Sequence, residues 1–213
     1  MSKIDLSGAD FSGTNLCGVD FDYTDLSGAN LIGAKLIGTN LEQARLNKAI
    51  LYKAQMKRAV LTSADLSQAN LIETDLTGAR IDRANLVGAN LSWANLRGAN
   101  LNQSDLTKAT VNYVILAEAE LTEAVLVGAK MHCAILSLAV LNLANLSEAD
   151  LSGADLCMAS LDDAVLIGTN LSNADLRLAS LNNVDLSQAS LEGVELALAD
   201  TKNTLIKAAG AKL

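Results

Sequence analysis

From Leu6 to Leu196 every fifth residue is Leu, Phe, Met, Ile or Val, giving 39 consecutive apolar centres with no insertion and no missed beat. A second series runs in the same phase. Two residues ahead of each centre position, from Ala9 to Ala199, the residue is Ala in 29 of 39 cases and otherwise Thr, Val or Ser. A helix cannot use this pattern, because at about 100° per residue a five-residue repeat smears its apolar positions around every face. A flat strand cannot either, since an odd period sends successive centres to opposite sides of the sheet. The chain must therefore turn once per repeat.

In a unit such as Ala29-Asn30-Leu31-Ile32-Gly33, residues 29 and 31 face inward from a short extended stretch, 30 faces outward, and 32 and 33 make the corner. Of the 14 glycines, 13 fall at the second corner position, where a positive φ is cheap for glycine. Half the residues are hydrophobic but only six are aromatic, so the core is narrow and built from small and medium side chains. Proline is absent, which suits a backbone whose N–H groups are committed to neighbours. An unbroken period makes length a count of repeats, and we read one domain over residues 1–200 followed by a C-terminal segment, 201–213.

The run of Ala-Asp/Asn-Leu units, among them Ala64-Asp65-Leu66, Ala89-Asn90-Leu91, Ala99-Asn100-Leu101 and Ala154-Asp155-Leu156, resembles the pentapeptide repeat family over about nine-tenths of the chain. The resemblance implies an all-β fold, a right-handed four-sided parallel β-helix with four pentapeptides per coil and about ten coils. Phe11 and Phe21, bulkier centres near the N-terminus, also resemble the family. Thr201 stands where the next apolar centre is due. Asp200 or Thr201 is suited to N-cap a short helix over 202–209, ended by Gly210, with Leu205, Ile206 and Ala209 on one face. Such a helix would cap the last coil as a lid. The opposite end has no comparable cover and is expected to be where two rods stack end to end.

With twenty residues per coil, residues twenty apart share a column. Trp93, Tyr113 and Cys133 form one corner column, a short aromatic ladder that either stacks on itself or serves as a binding hot spot. Leu138, Met158, Leu178 and Leu198 form another, at corners occupied by Gly, Arg or Glu in earlier coils. The outward residues Ile135, Val140 and Leu143 widen this strip, and Ile115 stacks under Ile135. A contiguous apolar strip marks a contact surface or a ladder of self-packing side chains; the first reading predicts a dimer or a partner groove. Charge is segregated as well: residues 1–30 carry net −4, 31–100 net +4, and 101–213 net −8. Arg45, Lys48, Lys53, Lys57 and Arg58 crowd two coils but fall short of a nucleic-acid site, so direct nucleic-acid binding is not expected.

The sequence offers no chemistry of its own. A rod without loops has no concave site, the outward position is freely Asp, Asn, Ser, Lys, Arg or Val, and no phosphate-loop motif occurs. Cys17, Cys133 and Cys157 form no CxxC pair and, with the single His132, supply no metal-ligand set; no cofactor is expected. Successive corner residues are expected to point apart, so His132 and Cys133 are read as independent surface residues. No export or import signal opens the chain and no apolar run would span a bilayer, so the cytoplasm is the expected compartment and membrane insertion is not. The function expected from the residues is a non-enzymatic rod presenting a patterned surface to a protein partner. The family resemblance implies an alternative, a mimic of duplex DNA that binds DNA gyrase or another type II topoisomerase. The acidic ends agree with that alternative and the basic middle opposes it, because mimicry requires continuous negative potential.

Overall fold

The computed structural model describes residues 4–206. Every β-bridge is parallel and joins a residue to the one twenty positions on, from Asp5 with Asp25 to Asp185 with Leu205. Four pentapeptides therefore make one coil, with a ladder on each of four sides. Ala29 and Leu31 are buried, Asn30 pairs in the ladder, and Ile32 and Gly33 form the turn, as the spacing predicts. Three backbone bonds tie this repeat to the next coil: Leu31 N donates to Ile50 O at 2.8 Å, Ile50 N to Ala29 O at 2.9 Å and Gly33 N to Tyr52 O at 2.9 Å. A fourth, from Ala34 N to Leu31 O at 3.1 Å, closes the corner. Positive φ at the third residue of this closed turn is the type II pattern.

The corner imposes that conformation on nearly every residue that occupies it. Besides the 13 glycines, 26 other residues adopt φ between 52° and 64°, every one of them at the same position of the repeat. A side chain there costs roughly 1 kcal/mol or more relative to glycine. The outward Asp and Asn residues explain how such corners are held. Asn90 Oδ1 accepts from Ser92 N at 3.0 Å, Asp105 from Thr107 N at 2.9 Å and Asp185 from Ser187 N at 2.8 Å, each supplying an acceptor to a corner amide. This outward position is thus an Asx turn rather than an unconstrained solvent-facing choice. Where it is Glu120, Lys130, Ser160 or Ser180, the acceptor comes from the coil below: Asn102 serves Thr122 N, Asn112 serves His132 N, Asn142 serves Asp162 N and Asp162 serves Asn182 N.

These turns make the fold acid-sensitive. Ser12 amide and hydroxyl hydrogen bonds hold Asp10 below the ordinary value of 3.8, the Arg177 side chain does the same to Asp175, and Ser187 to Asp185. Carboxyls with depressed folded values contribute stability that is fully present above their unfolded value and disappears as pH falls through the folded one. The melting temperature should accordingly be flat from neutrality to about pH 5 and fall below about pH 4. Asp185→Asn, which keeps the acceptor and removes the titration, should show a shallower acid loss in the same circular dichroism series.

Two features depart from the expected regularity. In place of a helix beginning at residue 202, the chain makes one more repeat: Lys202 and Asn203 turn with Asn203 at φ 58°, and Leu205 bridges Asp185. Thr204 Oγ1 donates to Leu181 O, and Ile206 packs on the core while Leu205 faces solvent. Open ladder groups on the last coil template a further strand, and this outweighs a single Thr at an apolar position. Residues 207–209, including Ala209, lie outside the described residues. The second departure is a break on one side: no bridge joins Val165 to Asp185, and Gln188 alone among the corner residues from Gly8 to Asn203 lacks positive φ. At the N-terminal end Leu6, Phe11 and Leu16 are only partly buried, and Phe11 packs tilted on Phe21 with ring centroids 6.3 Å apart. No helix among the described residues is long and apolar enough to cross a membrane.

Candidate interaction surface

Leu138, Met158, Leu178 and Leu198 stand one above another on a single corner, 51%, 51%, 46% and 83% exposed. Leu143 and Ile135 are exposed beside them, whereas Ile115 and Val140 are half-buried and belong more to the ladder than to the surface. All four column residues hold positive φ, between 59° and 62°. The side before the corner carries Asp155, Asp175 and Glu195, and the side after it ends in Asp200. Arg177, at the corner itself, is clamped by Asp175 through Nη2 to Oδ2 at 2.6 Å and Nε to Oδ1 at 2.9 Å, and reaches Glu195 at 3.6 Å. Those carboxylates raise the guanidinium's proton affinity further, so its charge is permanent but locally cancelled. The result is an apolar ridge bordered by net negative charge.

The second column also forms. Trp93 and Tyr113 stack face to face with centroids 4.2 Å apart and planes 9° from parallel. Tyr113 in turn meets the His132 ring edge-on at 5.6 Å. One expectation fails here: His132 and Cys133 do not point apart. Cys133 Sγ lies 3.3 Å from His132 Nε2, because the positive φ of 52° at Cys133 brings its side chain round beside the imidazole. His132 Nδ1 is 2.9 Å from Ser152 Oγ in the next coil.

Four of the nine basic residues between 31 and 100 pair with acids one coil away. Arg45 pairs with Asp25 at 2.9 Å, Lys53 with Glu73 at 3.4 Å, Lys57 with Asp75 at 3.3 Å, and Arg97 with Glu118. These exposed pairs contribute little stability. Glu73 and Asp75 already count toward the net +4 of residues 31–100, so only Asp25 and Glu118 bring negative charge to this region from outside it. Among the described residues no group of three His, Cys, Asp or Glu side chains could hold a metal ion, and the three cysteines form no disulfide.

A family model described as pentapeptide repeats matches in overlapping segments from residues 1–36 to 159–197. No curated protein matches the sequence. Among solved structures the chain is similar to HetL, a pentapeptide repeat protein involved in heterocyst differentiation regulation from the cyanobacterium Nostoc sp. strain PCC 7120. The two are 32% identical over 96% of this chain and 87% of that one, with a TM-score of 0.74. It is also similar to trypsin-treated QnrB1, a plasmid-mediated fluoroquinolone resistance protein, at 19% identity over 76% of this chain and 87% of that one, TM-score 0.69, a likeness of fold alone. The ladders, the corners and both matches agree, and the chain belongs to the pentapeptide repeat family of right-handed β-helices.

Proposed function

We propose that this protein is a non-enzymatic interaction rod whose C-terminal half docks a protein partner on the Leu138–Met158–Leu178–Leu198 ridge. The observation that carries the reading is that four bulky apolar side chains occupy exposed corners where glycine would relieve backbone strain. Earlier coils of the same column carry Gly18, Gly38, Arg58, Gly78, Gly98 and Glu118, residues that suit a strained or a solvated corner, so a role outside the fold accounts best for four successive exposed apolar side chains. The bordering Asp155, Asp175, Glu195 and Asp200 fit a partner with an apolar face edged by basic residues. Similarity to HetL, a protein involved in regulation, supports a binding role over a catalytic one. The same ridge could seat a second copy side by side, and the half-covered Leu6, Phe11 and Leu16 end could seat one end to end.

Two variants separate docking from self-packing. Leu178→Gly and Leu178→Glu should both lose the partner captured by wild type, while Leu178→Gly melts at or above the wild-type temperature. A lowered melt for Leu178→Gly with capture intact would assign the ridge to ladder packing. Sedimentation of the same three proteins tells a heterologous partner from a second copy. DNA mimicry predicts gyrase inhibition that fades steeply with salt; on our reading gyrase supercoiling is unaffected, because the middle of the rod lacks continuous negative charge.

A further inference from the structure

The column Trp93–Tyr113–Cys133 drops at its next coil to Gly153, so the cysteine sulfur has no side chain above it: a Cβ at residue 153 would lie 3.2 Å from Sγ. His132 Nε2 stands beside the sulfur at 3.3 Å, and Nδ1 is 2.9 Å from Ser152 Oγ. The ring has two neutral tautomers, and the one protonated at Nδ1 lets an uncharged thiol donate to Nε2. In that form Nδ1–H donates to Ser152 Oγ, which leaves the Nε2 lone pair facing the thiol. Ser152 is itself anchored, its amide donating to Asp150 Oδ1 at 3.1 Å, and Asn112 Oδ1 accepts from the His132 amide at 3.0 Å. The Tyr113 ring meets the imidazole edge-on, and Lys130 and Asp150 hold the outward ladder positions of the preceding side. The remaining cysteines lack such a neighbour. Cys17 is exposed and its sulfur is 3.7 Å from Lys35 O, while Cys157 lies one coil below Arg177, whose charge Asp175 and Glu195 already engage.

We propose that Cys133 is a reversible thiol-modification site that exchanges with low-molecular-weight disulfides, with His132 as the proton acceptor and the step over Gly153 as the place the added group occupies. Sγ attacks one sulfur of the disulfide, the new S–S bond forms as the old one breaks, and the thiol proton passes to Nε2 and from there to the departing sulfur. No net oxidant beyond the disulfide is consumed. The adduct extends the Trp93–Tyr113 stack by one apolar or polar group, according to the disulfide, and an excess of small thiol removes it.

The test is exchange with hydroxyethyl disulfide, a small neutral probe, followed by peptide mass spectrometry of all three cysteines over time. Solvent access alone ranks the exposed Cys17 first; the proposal ranks Cys133 first, by about tenfold. His132→Gln should bring Cys133 down to or below the rate of Cys17. Gly153→Asn should slow it by placing a side chain over the sulfur; 26 non-glycine residues already adopt this corner conformation, and a melt of the variant checks that the 3.2 Å approach of its Cβ to Sγ leaves the fold intact. Cys17 reacting fastest in the wild type, or a Cys133 rate unchanged by His132→Gln, overturns the proton-acceptor role. No adduct at Cys133, or a wild-type rate in Gly153→Asn, overturns the site itself.

Discussion

Leu96→Lys should unfold the middle of the rod. Leu96 is 1% exposed, and its column neighbours Leu76 and Leu116 are equally buried, so a lysine there would place an ammonium among apolar side chains. The buried polar residues among those described are threonines and one serine, with no carboxylate to pair the charge. An unpaired buried charge costs several kcal/mol even after relaxation, which corresponds to a loss of roughly 10 °C or more in melting temperature for a chain of this size. In a solenoid each coil contacts only its neighbours, so a failed central coil also uncouples the two halves. Circular dichroism should report a lowered, broadened melt, and limited proteolysis should cut first near residue 96. Leu96→Met is the control: Met56 and Met131 fill the same series fully buried, and the swap should cost less than about 1.5 kcal/mol. A wild-type melt for Leu96→Lys would refute the inward assignment of the entire centre series.

What was legible in the sequence was whatever repeats within five residues. The centres, the small inward residues and the corner follow from the period, because each is fixed by the direction a side chain takes at one position of the unit; the stacking of Trp93 on Tyr113 needs in addition the twenty-residue coil that the family resemblance implies. Relations that cross coils were harder to read. Glu120 looks like an arbitrary outward residue until Asn102, one coil below the Thr122 corner, is seen to supply the missing acceptor. Charge counted along the chain makes residues 31–100 basic, yet Arg45 and Arg97 meet Asp25 and Glu118, which lie outside that stretch, across coils. Local signals also misled where the ladder overrode them. Thr201 and the apolar pair Leu205 and Ile206 suggest a helix start, but Ile206 falls on the five-residue beat and the exposed last ladder recruits it. The gap between Val165 and Asp185 has no counterpart in the sequence, where Leu166, Leu186 and Gln188 keep perfect phase. At His132 and Cys133 the spacing was read correctly and the direction was not, since left-handed backbone reverses the usual divergence of neighbours.

Ala119→Leu should be nearly as damaging as a buried charge, for a steric reason. Ala119 is fully buried in a column that is alanine from Ala59 to Ala179, and its amide and carbonyl are both committed, to Leu116 O at 3.0 Å and to Val140 N at 2.9 Å. Coils are held at the parallel strand spacing of roughly 4.8 Å, so the small residues of successive coils meet side by side and leave no void for three further carbons. Overpacking of this kind costs about 1–3 kcal/mol where neighbours can shift. Here the ladders above and below resist the shift, which places the variant at the upper end. Ala119→Thr should instead be close to neutral despite adding a buried hydroxyl. Thr39, Thr74 and Thr169 sit in the same inward series, each with its Oγ1 donating to the carbonyl twenty-three residues earlier, at 2.9, 2.9 and 2.8 Å. By the same geometry a threonine at 119 would find Leu96 O. Thermal melts of the two variants should therefore separate clearly, with Ala119→Leu well below wild type and Ala119→Thr within about 1 kcal/mol of it. Equal melts would mean that the rod can widen locally at mid-length, and the narrow core inferred from the Ala series would have to be abandoned.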